Sequence, residues 1–125
     1  MQTPEQTKDL KVNLVVAIVQ ARMGSNRLPN KMMLWMNGLP MAGWVLHRVR
    51  QAQRIDRIVF ALPDTVANDV LAEYLQSEGA DVFRGSEHDV LGRYFAAAST
   101  VNADTVIRVC GDNPLVSGSE IDHLI

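Results

Sequence analysis

Residues 14–31 read LVVAIVQARMGSNRLPNK, and the change of character after residue 19 sets the expectation for the whole chain. Residues 14–19 (LVVAIV) are apolar throughout and rich in β-branched side chains, as suits a strand covered on both faces of a parallel sheet. Gly24, Asn26, Pro29 and Asn30 then remove any regular periodicity, so the strand empties into a loop. That loop carries three cations within ten residues, Arg22, Arg27 and Lys31, around Gly24 and Ser25. Glycine lets the backbone approach a ligand closely, and a small serine leaves neighbouring amides accessible. Arginine and lysine hold phosphate oxygens by charge-assisted hydrogen bonds. On charges alone, a solvated surface loop accounts for the same residues equally well.

Downstream, strand-like and helix-like patterns alternate. A helix is expected over 41–53, with Trp44, Val45, Arg48, Val49 and Ala52 at helical spacing and Pro40 at its start. Residues 57–62 (RIVFAL) predict a second buried strand, ended by Pro63 and Asp64. Residues 67–78 predict a helix with Val70, Leu71, Tyr74 and Leu75 inward, capped by Gly79. A brief strand over 81–83 precedes a helix over 88–101 with Leu91, Tyr94, Phe95 and Ala98 along its apolar stripe. Residues 105–109 (TVIRV) predict a fourth strand, and Gly118 or Ser119 opens another helix. Met32, Met33, Trp35 and Met36 are expected to pack beneath the first loop. The alternation implies βαβ crossovers, hence an α/β fold with a mostly parallel sheet covered on both faces. Ligands of such sheets bind beyond the carboxyl ends of the strands, here the loops after Val19, Leu62, Phe83 and Val109.

Bulk properties narrow the function. A length of 125 residues suits one domain, read as a flexible polar leader (1–12) and a nucleotide-binding α/β domain (13–125). A formal net charge of −2 lacks the basic excess that marks a nucleic-acid binder. The apolar runs are strand-sized and the first residues are polar, so neither membrane association nor a secretory signal is expected. Cys110 is the single cysteine, which excludes an intramolecular disulfide and fits a cytoplasmic location. The loop matches neither the G-x-x-x-x-G-K-[ST] phosphate loop nor the G-x-G-x-x-G dinucleotide fingerprint. His47, His88 and His123 have no metal-ligand spacing.

The complete string ARMGSNRLPNK resembles the A-R-x-G-S-x-R-L-P-x-K signature of cytidylyltransferases of the spore-coat-polysaccharide type, relatives of the synthetases that make CMP-activated ulosonic and sialic acids. The resemblance continues in register through Gly38-Leu39-Pro40-Met41, Phe83-Arg84-Gly85-Ser86, Asp89-Val90-Leu91-Gly92-Arg93-Tyr94 and Gly111-Asp112-Asn113-Pro114-Leu115. It implies a three-layer, Rossmann-like (GT-A-like) fold in truncated form, a CTP substrate, an acidic sugar or other sugar as acceptor, pyrophosphate release and Mg²⁺ as cofactor. Residue by residue, it places the backbone around Ala21 and Arg22 at the base and sugar of the nucleotide, and Gly24, Ser25, Arg27 and Lys31 at its phosphates. Arg27 and Lys31 take the catalytic role of stabilising charge on the α-phosphate. Arg84 matches a family arginine near the nucleotide, Asp112 the metal-binding aspartate, and Arg93 receives no firm role. Cys110 falls where the ulosonic and sialic acid relatives carry a glutamine that reads cytosine; a thiol is a weaker hydrogen-bonding group. Asn30 stands where glycine is the commoner residue, and asparagine tolerates the left-handed backbone such a turn needs.

Members of this family are longer, continuing into a sugar-binding portion, a second metal-binding carboxylate and a dimerising extension. A chain of this length is therefore expected to leave an unfinished sheet edge and to form a homo-oligomer. Two other classes fit the same residues: a nucleotide-binding module without catalysis, and a GT-A-like glycosyltransferase relative. Three cations before the first helix favour a free triphosphate over the sugar diphosphate of the latter.

Overall fold

Alternate side chains of a single strand supply both halves of the core. The structure, a computed structural model, describes residues 13–23, 30–111 and 116–125. The expected leader, 1–12, lies outside the described residues. In chain order the elements are β1 (Val15–Gln20), a 3-10 turn (Lys31–Met33), the short strands β2 (Trp35–Met36) and β3 (Leu39–Pro40), and helix α1 (Met41–Val49). Then come β4 (Arg57–Pro63), a 3-10 turn (Val66–Asn68), α2 (Asp69–Ser77), β5 (Asp81–Gly85), α3 (Val90–Thr100), β6 (Thr105–Cys110) and α4 (Gly118–Leu124).

Four strands pair in parallel in the order β5-β4-β1-β6, with β1 hydrogen-bonded on both sides. Val15, Ala17 and Val19 of β1 join the larger core cluster with Val45 and Val49 of α1, Leu71 and Leu75 of α2, and Ile121 of α4. Val16 and Ile18 point the other way, into a smaller cluster with Val59, Ala61 and Ala97 of α3. This is the period of two that a pleated strand imposes, and it explains why residues 15–19 of the apolar run are all buried. The α/β fold with a parallel sheet between helical layers follows as expected.

Helix ends obey local chemistry. Gly79 adopts φ 79° just beyond α2, while the amide of Ala80 donates to the Leu75 carbonyl, a left-handed glycine stop. Asp89 caps α3 by accepting from the Gly92 amide at 2.8 Å. Helix α4 is fastened by Asp122, whose carboxylate accepts from the amides of Gln53 (2.9 Å) and Arg54 (2.8 Å) after α1.

Three packing expectations are corrected. On α3 the buried residues are Arg93 and Ala97, while Leu91 and Phe95 are 58% and 59% exposed and Tyr94 and Ala98 half-buried. One residue turns a helix by about 100°, and small Ala97 lets α3 approach the sheet on a face that the larger apolar side chains do not occupy. Tyr94 does pack against the smaller core cluster, and it also meets Phe95 edge-on and lies under the Arg108 guanidinium. On α2, Val70 is half exposed because Leu71, Ala72 and Leu75 carry the contact. Trp35 and Met36 form instead the exposed strand of an antiparallel ribbon with half-buried Leu39 and buried Pro40, while Met32 is fully buried as expected. Helix α1 also stops at Val49, short of the expected residue 53.

Truncating Ile18, fully buried at the centre of the sheet, to alanine is expected to cost about 2–5 kcal/mol in urea unfolding. The amides of Gln53 and Arg54, with the nearby charges of Arg54 and His123, hold the Asp122 carboxyl below its ordinary value, against a smaller opposing effect of desolvation. A carboxylate depressed in the folded state adds stability above its unfolded pKa, and that contribution disappears as pH falls through the folded pKa. Asp122→Asn should therefore flatten the acid side of the melting temperature–pH curve below the ordinary carboxylate range, and an unchanged curve would refute the docking role.

Candidate nucleotide site

Strands β1 and β6 finish together, and their ends make the floor of the site. Gln20 and Cys110 are cross-strand partners, and the Gly111 amide donates to the Gln20 carbonyl at 2.8 Å. A Cβ on Gly111 would lie 2.6 Å from that carbonyl oxygen and 2.9 Å from the Ala21 Cβ, so only glycine permits this closure. The chain reaches β6 by crossing from β5 at the opposite edge, so crossovers diverge on either side of β1. A crevice beyond the carboxyl ends of the strands at such a switch point is where open α/β sheets bind ligands.

A cavity of about 320 Å³ opens there, lined by Gln20, Ala21, Arg22, Lys31, Val90, Arg93 and Cys110. The structure thus brings Ala21, Arg22, Lys31 and Cys110 together. Gly24, Ser25, Arg27 and Asp112 lie outside the described residues. Arg84 is directed elsewhere: its guanidinium donates to the carbonyls of Pro63 (3.0 Å) and Thr65 (2.8 Å) and pairs with Asp69 at 3.0 Å, tying β5 to the start of α2.

Each wall has an identifiable support. The Met23 amide donates to Asn68 Oδ1 at 2.7 Å, and the buried Asn68 in turn donates from Nδ2 to Thr65 Oγ1 at 2.8 Å. On the far side of the loop, Asn30 adopts φ 61° and ψ 21°, the left-handed backbone expected of it, immediately before Lys31. Met32 is wholly buried beneath, which anchors the turn that carries Lys31 to the cavity. On the α3 side, Arg93 donates to the Ser86 carbonyl (2.8 Å) and to Gln20 Oε1 (3.0 Å), and Gln20 Nε2 donates to the Val90 carbonyl (3.2 Å). Burial first, and then the charge of Arg22, lower the pKa of Arg93. Cys110 is exposed at the mouth.

Gln20, Asn68 and Arg93 were not singled out for these roles by the sequence. Gln20 did carry a signal, a polar residue ending an otherwise apolar strand at its ligand-binding end. Asn68 carried none, because its amide partners lie far away in sequence. Among the described residues no group of three or more His, Cys, Asp or Glu side chains is placed to hold a metal ion. The carboxylate nearest in sequence to the cavity floor is Asp112, directly after Gly111.

Residues 16–125 match the cytidylyltransferase family. The chain belongs to that family. It is 36% identical over 118 residues to the spore coat polysaccharide biosynthesis protein SpsF of Bacillus subtilis, covering 91% of this chain and 49% of the relative. A cytidylyltransferase structure from Leptospira borgpetersenii superposes with a TM-score of 0.84 at 34% identity, over 89% of this chain and 47% of that one. A CMP:2-keto-3-deoxy-manno-octonic acid synthetase solved with CTP superposes with a TM-score of 0.78 at 26% identity, over 90% of this chain and 46% of its own. The cytidylyltransferase chain therefore spans about half the length of these relatives. No helix among the described residues is long and apolar enough to cross a membrane.

The left-handed turn gives a direct test. Asn30→Ala should destabilise the fold by about 1–2 kcal/mol, the usual cost of that backbone for a residue with a Cβ and no local hydrogen bond. Asn30→Gly should be neutral or slightly stabilising, and thermal unfolding of both variants decides the matter.

Proposed function

We propose that this chain carries the nucleotide-binding part of a cytoplasmic enzyme that transfers CMP from CTP to an acidic sugar or other sugar. The observation that carries the reading is the cavity at the β1–β6 switch point, with Arg22, Lys31 and Arg93 on its walls and no acidic side chain among its described lining residues. A polyanion suits such a site. The CTP bound to a synthetase of similar fold supplies its identity.

In the proposed reaction a sugar hydroxyl attacks the α-phosphorus and loses its proton. The bond to the β-phosphate oxygen breaks, and pyrophosphate departs with the electron pair. Backbone groups around Ala21 and Arg22 meet the base and sugar of the nucleotide. Gly24, Ser25, Arg27 and Lys31 hold the phosphates, with Arg27 and Lys31 opposing charge as it accumulates on the α-phosphate. Positioning and electrostatic stabilisation supply most of the rate in such transfers. Asp112 would hold Mg²⁺, which prefers one or two carboxylates together with phosphate oxygens and water and would supply further charge neutralisation. Among the described residues the cavity lining adds no carboxylate to Asp112, so the rest of the metal's ligands would have to be phosphate oxygens and water. Cys110 offers weak hydrogen bonding at the base, so backbone groups of residues 21 and 22 carry more of the discrimination.

A second reading, nucleotide binding without turnover, is favoured by one observation, the half-length match to the relatives. Calorimetry with CTP, UTP and GTP, with and without Mg²⁺, tests the shared part. CTP should bind best and in a metal-dependent manner. Arg27→Ala and Lys31→Ala should each weaken CTP by about tenfold or more, the scale of a charge-assisted hydrogen bond. Asp112→Ala should abolish the metal dependence. Pyrophosphate release with acidic sugars then separates enzyme from module.

A further inference from the structure

Arg93 is 3% exposed, and its Nε is the one buried side-chain nitrogen or oxygen without a hydrogen-bond partner among the described residues. No ion pair to Arg93 is found among them either. Its two bonds go to uncharged acceptors, the Ser86 carbonyl and the Gln20 amide oxygen. Burying a guanidinium without a counter-charge is unfavourable, and a second cation beside it adds repulsion. Arg22 is that second cation, on the same cavity wall. Among the described residues Arg93 thus has no counter-charge, and it lines a cavity open to ligand. An apolar residue at this position would pack against the sheet at lower cost, so the fold alone gives no reason for the charge.

We propose that Arg93 is a phosphate-contacting residue, forming with Arg22 and Lys31 a cationic seat for a polyphosphate in this cavity. With Arg22, Lys31 and Arg93 the described lining carries three positive charges and no negative one, which suits a multiply charged phosphate better than a single carboxylate. The proposal deepens the nucleotide reading above and rests on it for the identity of the ligand, though not for its charge. Gln20 is the residue that holds the guanidinium in place, since its amide is itself fixed by the Val90 carbonyl at the start of α3.

The test is calorimetry on the 125-residue chain with pyrophosphate, CTP and cytidine, comparing the parent with R93M and R93K. Pyrophosphate and CTP should bind R93M about tenfold more weakly or worse, with partial recovery in R93K, while cytidine binds all three chains alike. Circular dichroism melts establish that each variant folds, and R93K carries the comparison if R93M does not. Equal pyrophosphate affinity in parent and variants overturns the proposal. So does a parallel loss of cytidine binding, which would mark a base contact or a structural clasp, and so does a parent that takes up no pyrophosphate. If pyrophosphate binding depends on Arg93 but CTP has no advantage over UTP and GTP, the cytidine reading fails and the phosphate seat stands.

Discussion

The backbone closure between the ends of β1 and β6 is the constraint on which the site depends. Gln20 and Cys110 pair across the sheet, Gly111 donates to the Gln20 carbonyl, and the absent Cβ of Gly111 lets the two strands end in contact. Strand β1 is central and covered on both faces, and its last residue, Gln20, pairs with Ala61 on one side and Cys110 on the other, so that its end is braced from both sides. Side chains and amides just beyond it inherit that rigidity. A binding loop hung from a buried parallel strand needs few interactions of its own to be well placed.

The loop is nonetheless secured at both described ends. Asn68 receives the Met23 amide on one side, and the left-handed Asn30 with buried Met32 fixes Lys31 on the other. These contacts are neutral and engage none of the cations themselves. Arg84 illustrates the alternative: held by two carbonyls and the Asp69 carboxylate, it braces the fold. Arg93, which lines the cavity, has one buried nitrogen unpartnered among the described residues. Two arginines in neighbouring motifs thus take different work, decided by whether acceptors surround them.

Much of the architecture was legible in residues 14–31 and in the alternation that follows. Short apolar, β-branched runs bounded by turn residues read as strands, so β1, β4 and β6 were found within a residue or two of their observed limits, although the edge strand β6 is buried at alternate positions only. The motif strings were enough to place the chain in its family. The face of α3 was misjudged because Leu91 and Phe95 look more apolar than Arg93 and Ala97, yet apolarity does not fix which stripe of a short helix a sheet will accept. Close approach favoured Ala97, and the guanidinium beside it found the Ser86 carbonyl and Gln20 as acceptors.

The sequence by itself determined the strand–helix alternation, the family and the cluster of cations after the first strand, because each is written in local pattern and in side-chain identity. Only the tertiary structure decided that Lys31, Arg22 and Arg93 line one cavity, that Arg84 does not, and that Asn68 holds the start of the loop. Those outcomes depend on strand order and on acceptors supplied by residues 19 to 73 positions away in the chain, distances over which no local pattern carries information.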